Sequence, residues 1–226
     1  MTSLFQNILV TVLGLIYVFS IVGIMDFAVR KGFSKDLSRK IVHIAAGSWL
    51  IFWPLYDVSH WSKYLNIFPA LIWTILLLIK GFTAKPDDKA VKTMTRTGDR
   101  SELLRGPLYF TLVMNLMGTL FFYSPVAVTS MSFLGWGDGL APVFGKIFGK
   151  HKFRIYSEKS LEGSLAFIFF GFSIAVLFNL FFFGHFSFVF LLICSLFATA
   201  VEAASPKDFD NLLIPLSVII VFYIYF

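Results

Sequence analysis

The sequence predicts an all-α fold: a polytopic integral membrane protein with about eight transmembrane helices and both termini on the non-cytoplasmic side. Of its 226 residues, 58% are hydrophobic and only 14% are charged, an apolar share above that of soluble domains. The apolar residues form long uncharged runs, as helices that cross a bilayer require. The basic residues, in turn, are confined to alternate connections between these runs.

Eight apolar segments carry this prediction. In chain order they are 5–28, 41–56, 64–80, 106–123, 125–144, 163–183, 186–204 and 209–226. Several are shorter than the roughly 20 residues of a straight span, so tilted helices or interfacial ends are expected. The 41–56 segment is the weakest, and a partly buried helix is the alternative there. We expect one transmembrane domain over 1–226.

The distribution of lysine and arginine predicts the orientation. The loops near 29–40, 81–105, 145–160 and 204–209, with Lys80 at the edge of the second, hold 18 of the 19 basic residues. The positive-inside rule places these loops in the cytoplasm. Several acidic residues map to the same side, so we expect the active site at the cytoplasmic face. Because topology explains the basic residues, nucleic acid is not an expected partner.

The first two cytoplasmic loops differ in what they predict. The 29–40 loop indicates a short interfacial helix that runs into the second span, and helical spacing brings Arg39, Lys40 and His43 close together. His43 either packs against its neighbours or touches substrate. The 81–105 loop combines a Pro86-Asp87-Asp88 turn with mixed charges, which predicts a flexible segment. It is either a lid over a nucleotide or a plain linker.

The stretch 135–163 carries the strongest functional signal. Asp138 stands between Gly137 and Gly139 at the end of an apolar span, and five cations follow it. An unpaired carboxylate at membrane depth costs about 2.5–3.5 kcal/mol, so Asp138 calls for a partner. A divalent metal on Asp138, with phosphates neutralised by the cations, satisfies it. The alternative is an ordinary solvated loop, which explains the cations but not the aspartate.

A second group of acidic residues lies near the C-terminus. Glu202 stands in a run of alanines near the end of a span, and Asp210 and Asn211 open the next one. Asp208 or Asp210 could instead cap that last helix, since acceptors satisfy the free N–H groups of a helix start. Glu202 has no such structural role, and an acidic residue at membrane depth indicates a functional site.

Five separated motifs support a family resemblance. They are RKIVHIAAG (39–47), ELLRGPLYF (102–110), GDGLAPVFGKIFGK (137–150), EKSLEGSLAFIFFG (158–171) and VEAASPKDFDNLLIP (201–215). In this order they resemble the CTP-dependent polyprenol kinase family, which includes phytol, farnesol and dolichol kinases and is related to phosphatidate cytidylyltransferases. The resemblance covers about three quarters of the chain.

The resemblance implies transfer of the γ-phosphate of CTP to the hydroxyl of a long-chain isoprenoid alcohol, with Mg²⁺ as cofactor. It implies that Asp138, Glu202 and Asp210 act as metal ligands or base. His43 is an additional candidate for the proton acceptor. The residues we expect to bind the nucleotide are Gly137, Gly139, Lys146, Gly149, Lys150, Lys159, Glu162, Gly163, Asn211, Arg105, Arg39 and Lys40.

One motif leaves the lipid substrate open. The Lys-Ser-Leu-Glu-Gly run ending at Gly163 is closer to dolichol kinases, CTP-dependent diacylglycerol kinases and phosphatidate cytidylyltransferases than to the phytol and farnesol branch. A similar lipid alcohol such as diacylglycerol is therefore a second acceptor. A CTP:phosphatidate cytidylyltransferase-like enzyme is the alternative reaction. A small membrane transporter or lipid-binding protein is the alternative of another class. The expected partners are CTP, the lipid alcohol and membrane lipids, with oligomerisation left open.

Overall fold

The computed structural model describes residues 2–226 as an α-helical protein with one short hairpin. The helices are α1 (Ser3–Arg30), α2 (Lys35–Gly47), α3 (Phe68–Thr83), α4 (Lys89–Met94), α5 (Gly106–Leu120), α6 (Pro125–Ser132), α7 (Asp138–Phe148), α8 (Leu161–Phe183), α9 (Phe188–Ala204) and α10 (Asp210–Tyr225). The strands are β1 (Lys152–Arg154) and β2 (Glu158–Ser160). Short 3-10 helices cover Ser48–Leu55, Trp61–Ile67 and Arg100–Leu104, and a π-helical turn covers Phe133–Gly137.

Three helical stretches are long and apolar enough to cross a membrane. They are Ser3–Arg30, Trp61–Thr83 and Leu161–Phe183, and two shorter apolar helices are Phe188–Ala204 and Asp210–Tyr225. Large apolar side chains such as Phe169 on α8, which is 65% exposed, face outward as lipid-facing residues do. The chain is an α-helical membrane protein, and the number of eight spans stays a prediction.

The chain divides into two compact units, the first ending at Phe122 and the second beginning at Tyr123. In the first unit, Trp73 and Leu77 of α3 pack with Val18 of α1 in a buried apolar cluster. Segment 41–56 belongs to this unit, and it is α2 up to Gly47 followed by a 3-10 helix. Three of its large side chains, Trp49, Leu50 and Trp53, are buried. This arrangement agrees with the partly buried helix that was the alternative to a span.

The prediction of a flexible 81–105 segment is wrong. Val91 and Met94 of α4, together with Leu103, are buried in the same cluster as Trp73 and Leu77. Asp88 caps α4 by accepting the N–H of Ala90 at 2.8 Å, and its carboxylate also binds the ammonium of Lys80 at 2.7 Å. Small apolar residues spaced among the charges give this segment one buried face, which fixes it to the unit.

Hydrogen bonds also join the start of α1 to the 57–62 connection of the first unit. Buried Asn7 donates to the Ser62 hydroxyl at 2.8 Å and to the Asp57 carbonyl at 3.1 Å, and it accepts the Asp57 N–H at 2.7 Å. The Asp57 carboxylate accepts from the Ser59 hydroxyl at 2.6 Å. Hydrogen bonds from the Ser3 and Ser59 side chains lower the pKa of Asp57 from 3.8 to about 2.

In the second unit, α7 and the start of α8 approach each other closely. A Cβ built on Gly163 would lie 3.0 Å from the Ala141 carbonyl, and one on Gly149 would lie 2.9 Å from the Ser160 hydroxyl. Only glycine fits such a contact without displacing its neighbours. Between these helices the chain forms the antiparallel β1–β2 hairpin, in a region where the sequence interpretation expected a cytoplasmic loop without strands.

Candidate active site

Three carboxylates meet in the second unit. One oxygen from each of Asp138, Glu202 and Asp210 lies within 4.8 Å of the others, and we call these residues the carboxylate cluster. Asp138 is 5% exposed and Glu202 is 2% exposed, while Asp210 is partly exposed. These are the residues that the sequence interpretation named as metal ligands.

Each carboxylate of the cluster lies at or near the end of a helix. Asp138 is the first residue of α7, directly after the π-helical turn, a rare element that occurs often at functional sites. Glu202 lies two residues before the end of α9, and Asp210 opens α10. The connection between these two helices contains Asp208 with a φ of 70°. Phe209, and neither aspartate, occupies the N-cap position of α10.

Lys159 extends from β2 into the carboxylate cluster. Its ammonium donates a hydrogen bond to Oε1 of Glu202, and it lies 3.8 Å from Oδ2 of Asp210. Burial acts to lower the pKa of Lys159, but the negative charges of Glu202, Asp138 and Asp210 outweigh it and raise the pKa above its usual value. The lysine is therefore charged, and it neutralises one of the three carboxylates.

The spacing of the three carboxylates suits a divalent cation. Their oxygens lie within 4.8 Å of one another in a largely buried place, where a bound cation would offset the repulsion between like charges. Carboxylate oxygens are the ligands that Mg²⁺ prefers. Asn211 is buried beside them. Its amide nitrogen lies 3.3 Å from Oδ1 of Asp210, whereas its side-chain oxygen has no hydrogen-bond partner among the described residues. The donor set therefore fits a magnesium ion.

Two prolines alter the helix backbone next to the site. Pro142 follows Asp138 by four residues within α7, and Pro215 follows Asn211 by four residues within α10. Because proline has no N–H, the carbonyls of Asp138 and Asn211 cannot accept the usual helical hydrogen bond from those positions.

The predicted glycines have a packing role. A Cβ on Gly137 would lie 3.2 Å from the Phe167 ring, and Gly149 and Gly163 let α7 and α8 approach as described above. Gly139 is also buried. These contacts account for Gly137, Gly149 and Gly163 without phosphate, and a part of the four glycines in nucleotide binding stays a prediction.

The predicted polar residues of the second unit separate into three groups. Lys159 and Asn211 adjoin the carboxylate cluster. Lys146 and Lys150 are exposed near the end of α7. Glu162 instead binds the His151 ring nitrogen Nδ1 at 2.8 Å and accepts the His151 N–H at 3.3 Å, which ties the base of the hairpin to α8. Sequence reasoning missed His151, and no motif would have indicated it.

The other predicted residues belong to the first unit. The guanidinium of Arg39 lies 4.0 Å from the Glu102 carboxylate, and the His43 ring packs on Phe110 with their centroids 4.5 Å apart. Lys40 is partly buried and Arg105 is exposed. A role for Arg39, Lys40, His43 and Arg105 in nucleotide or substrate binding stays a prediction.

Comparison with known proteins gives several similar sequences. The chain is 32% identical to a probable chloroplastic phytol kinase of Zea mays over 238 residues, which cover 99% of this chain and 78% of that protein. It is 34% identical to probable phytol kinase 1 of Oryza sativa subsp. japonica, over 92% of this chain and 70% of that protein. The match to probable phytol kinase 1 of Glycine max is 35% identical over 70% of this chain, but it spans only 53% of the soybean protein. No family model and no solved structure matches the chain.

Proposed function

Because the chain belongs to the phytol kinase family, we propose that it is a membrane-embedded kinase that transfers the γ-phosphate of CTP to the hydroxyl of a long-chain isoprenoid alcohol. Phytol is the acceptor we favour, since the relatives are named phytol kinases. The observation that carries the proposal is the carboxylate cluster with Lys159 inside it.

The residues of the cluster suit phosphoryl transfer, which depends on positioning and on neutralising the charge of the phosphates. Asp138, Glu202 and Asp210 would hold Mg²⁺, which when bound offsets the negative charge on the phosphate oxygens. Lys159 adds a fixed cation at the same place, and its three donor hydrogens can serve phosphate as well as carboxylate oxygens. CTP as the donor rests on the family resemblance.

One carboxylate of the cluster would accept the proton of the alcohol. A general base must lie within hydrogen-bond reach of the hydroxyl, and Asp210 is the most exposed of the three. The isoprenoid chain would lie in the bilayer beside apolar helix faces such as that of α8, where Leu165 is 63% exposed. The cluster would face the cytoplasmic side, the side on which the basic loops are expected.

The test uses the purified full chain with Mg²⁺ and CTP labelled at either the α or the γ phosphate. Phytol, geranylgeraniol, a dolichol, diacylglycerol and phosphatidic acid serve as acceptors. We expect γ label on an isoprenoid alcohol. Retention of the α label in a lipid product, with release of pyrophosphate, would instead identify a cytidylyltransferase. Transfer from neither position would contradict both reactions.

A variant links the activity to the cluster. Asp138→Asn should lower kcat/KM by more than about 100-fold, since loss of outer-shell partners of a metal already costs about 10–100-fold. Asp87→Asn makes the same chemical change at an exposed position and should leave activity unchanged. Full activity in a folded Asp138→Asn protein would contradict the assignment.

A further inference from the structure

The three cations within the strands of the hairpin, Lys152, Arg154 and Lys159, are divided between its two faces. In the β1–β2 ladder, Phe153 pairs with Lys159 and Arg154 pairs with Glu158. Because side chains alternate along a strand, Lys159 and Phe153 share one face, while Lys152 and Arg154 share the other. Lys159 enters the carboxylate cluster, so Lys152 and Arg154 point away from it. Phosphate binding at the cluster therefore does not explain these two cations.

The turn of the hairpin carries large apolar side chains in the same region. Ile155 is 58% exposed and Tyr156 is 67% exposed, and neither belongs to a helix. Lys152 and Arg154 are exposed next to them, and Lys150 is exposed just before β1. Adjacent exposed apolar and cationic side chains suit a membrane interface, where the apolar part is buried and the charge meets the headgroups.

The base of the hairpin is fixed beside a membrane span. The Leu161 N–H donates to the His151 carbonyl at 3.0 Å, and Glu162 holds the His151 ring. Leu161 is the first residue of α8, a candidate span, and its side chain is 54% exposed. Tyr156 is five residues from Leu161, which is at most about 17 Å at the rise of a strand. The hairpin therefore starts at the level where a span meets the headgroup layer, which is about 5–8 Å thick on each side.

We propose that residues 150–156 form a docking element for an anionic lipid surface. Ile155 and Tyr156 insert at the interface, and Lys150, Lys152 and Arg154 contact anionic headgroups. Tyrosine suits this position because its ring is apolar and its hydroxyl is polar. The only acidic residue in the two strands, Glu158, is paired with Lys152 at 2.8 Å, so the element presents a net positive charge. Docking of this element does not depend on the identity of the phosphate acceptor.

The test places a fluorophore at the turn of the full-length protein. The single cysteine, Cys194, is replaced with alanine, and Tyr156→Cys carries an environment-sensitive nitrobenzoxadiazole label. The protein is reconstituted in nanodiscs of phosphatidylcholine alone or with phosphatidylglycerol. We expect emission at shorter wavelength, and stronger quenching by headgroup spin-labelled lipid, in the anionic nanodiscs. Added salt should reverse both changes, because it screens surface charges.

Two charge variants of the labelled protein test whether the fluorescence change comes from contact of the hairpin cations with anionic lipid. Lys152→Gln combined with Arg154→Gln should lower the ratio of the docked to the undocked turn about thirty-fold in anionic nanodiscs, since each cation near such a surface contributes a factor of about five. Lys85→Gln combined with Lys89→Gln, at exposed positions of the first unit, should leave that ratio unchanged.

Equal emission in both nanodiscs, or an unchanged response in the Lys152 and Arg154 variant, would overturn the proposal. Quenching that disappears when Mg²⁺ and CTP are added, without any dependence on phosphatidylglycerol, would assign the turn to the nucleotide site instead. Because the signal is independent of turnover, an inactive protein could still show docking, and an active one could fail to show it.

Discussion

The ion pairs of Lys159 give the sharpest test of the carboxylate cluster. Lys159→Met keeps the length of the side chain and removes its charge, leaving buried Glu202 without its hydrogen-bonded cation. At the 3.8 Å that separates Lys159 from Asp210, two unit charges interact by about 4 kcal/mol at an effective dielectric constant of 20. Removal of one partner of a buried pair typically costs about 3–5 kcal/mol.

We expect this loss to lower the Tm of the metal-free protein by about 10 °C, since about 1 kcal/mol corresponds to 2–4 °C in a chain of this size. Tryptophan fluorescence on heating, in detergent with EDTA, measures it. Mg²⁺ at about one hundred times its Kd should then restore about 2.7 kcal/mol. The shift should exceed that of the unaltered protein, because the ion no longer competes with the ammonium of Lys159.

Lys152→Met is the matched control, since Lys152 pairs with Glu158 on the exposed face of the hairpin. This substitution should leave the Tm unchanged. The reasoning would be refuted if the Lys159→Met protein had the same Tm as the unaltered protein in EDTA and its Tm did not change with Mg²⁺. That result would mean that the three carboxylates are not ionised together.

Three further predictions concern packing, loop order and pH. Gly163→Ala should destabilise the protein by about 1–3 kcal/mol in thermal unfolding, because its Cβ meets the Ala141 carbonyl; Gly23→Ala, with open space around it, should stabilise α1 by about 0.5–1 kcal/mol. Glu102→Gln should speed tryptic cleavage within the 95–105 stretch, because the Glu102 carboxylate accepts the N–H groups of two residues there, at 2.6 and 3.3 Å; unchanged cleavage would contradict this. The pKa of Asp57 is lowered to about 2 in the folded protein, so the ionised carboxylate stabilises the fold above about pH 4. This contribution to stability is lost as the pH falls towards 2. Asp57→Asn should remove that part of the acid dependence of the Tm.

The sequence predicted much of the helical architecture because long apolar runs are a strong signal, whereas the orientation inferred from lysine and arginine stays a prediction. It also named Asp138, Glu202 and Asp210 together, and the structure brings their oxygens within 4.8 Å. Acidic residues at the ends of apolar spans are conspicuous because their burial is costly. Their assignment as metal ligands rests on the resemblance and on the closeness of their carboxylate oxygens.

The hairpin and the ordered 81–105 segment were not predictable from the pattern. Strands of three residues are too short for alternation to be recognised, and β1 and β2 are rich in charge. Without the hairpin, Lys159 is one of five equivalent cations, and its inward direction is hidden. In the 81–105 segment, Val91 and Leu103 belong to the core of the first unit, although the charges around them predict solvent. Tertiary packing decided both cases.

The two prolines near the carboxylate cluster have a consequence for mutagenesis. Because Pro142 and Pro215 have no N–H, the main-chain oxygens of Asp138 and Asn211 cannot accept the helical hydrogen bond from four residues on. No side-chain substitution at Asp138 or Asn211 removes a main-chain oxygen. An alanine scan therefore leaves these two main-chain oxygens in place. Backbone chemistry, such as replacement of an amide by an ester or a change at the prolines themselves, reaches the part that such a scan leaves intact.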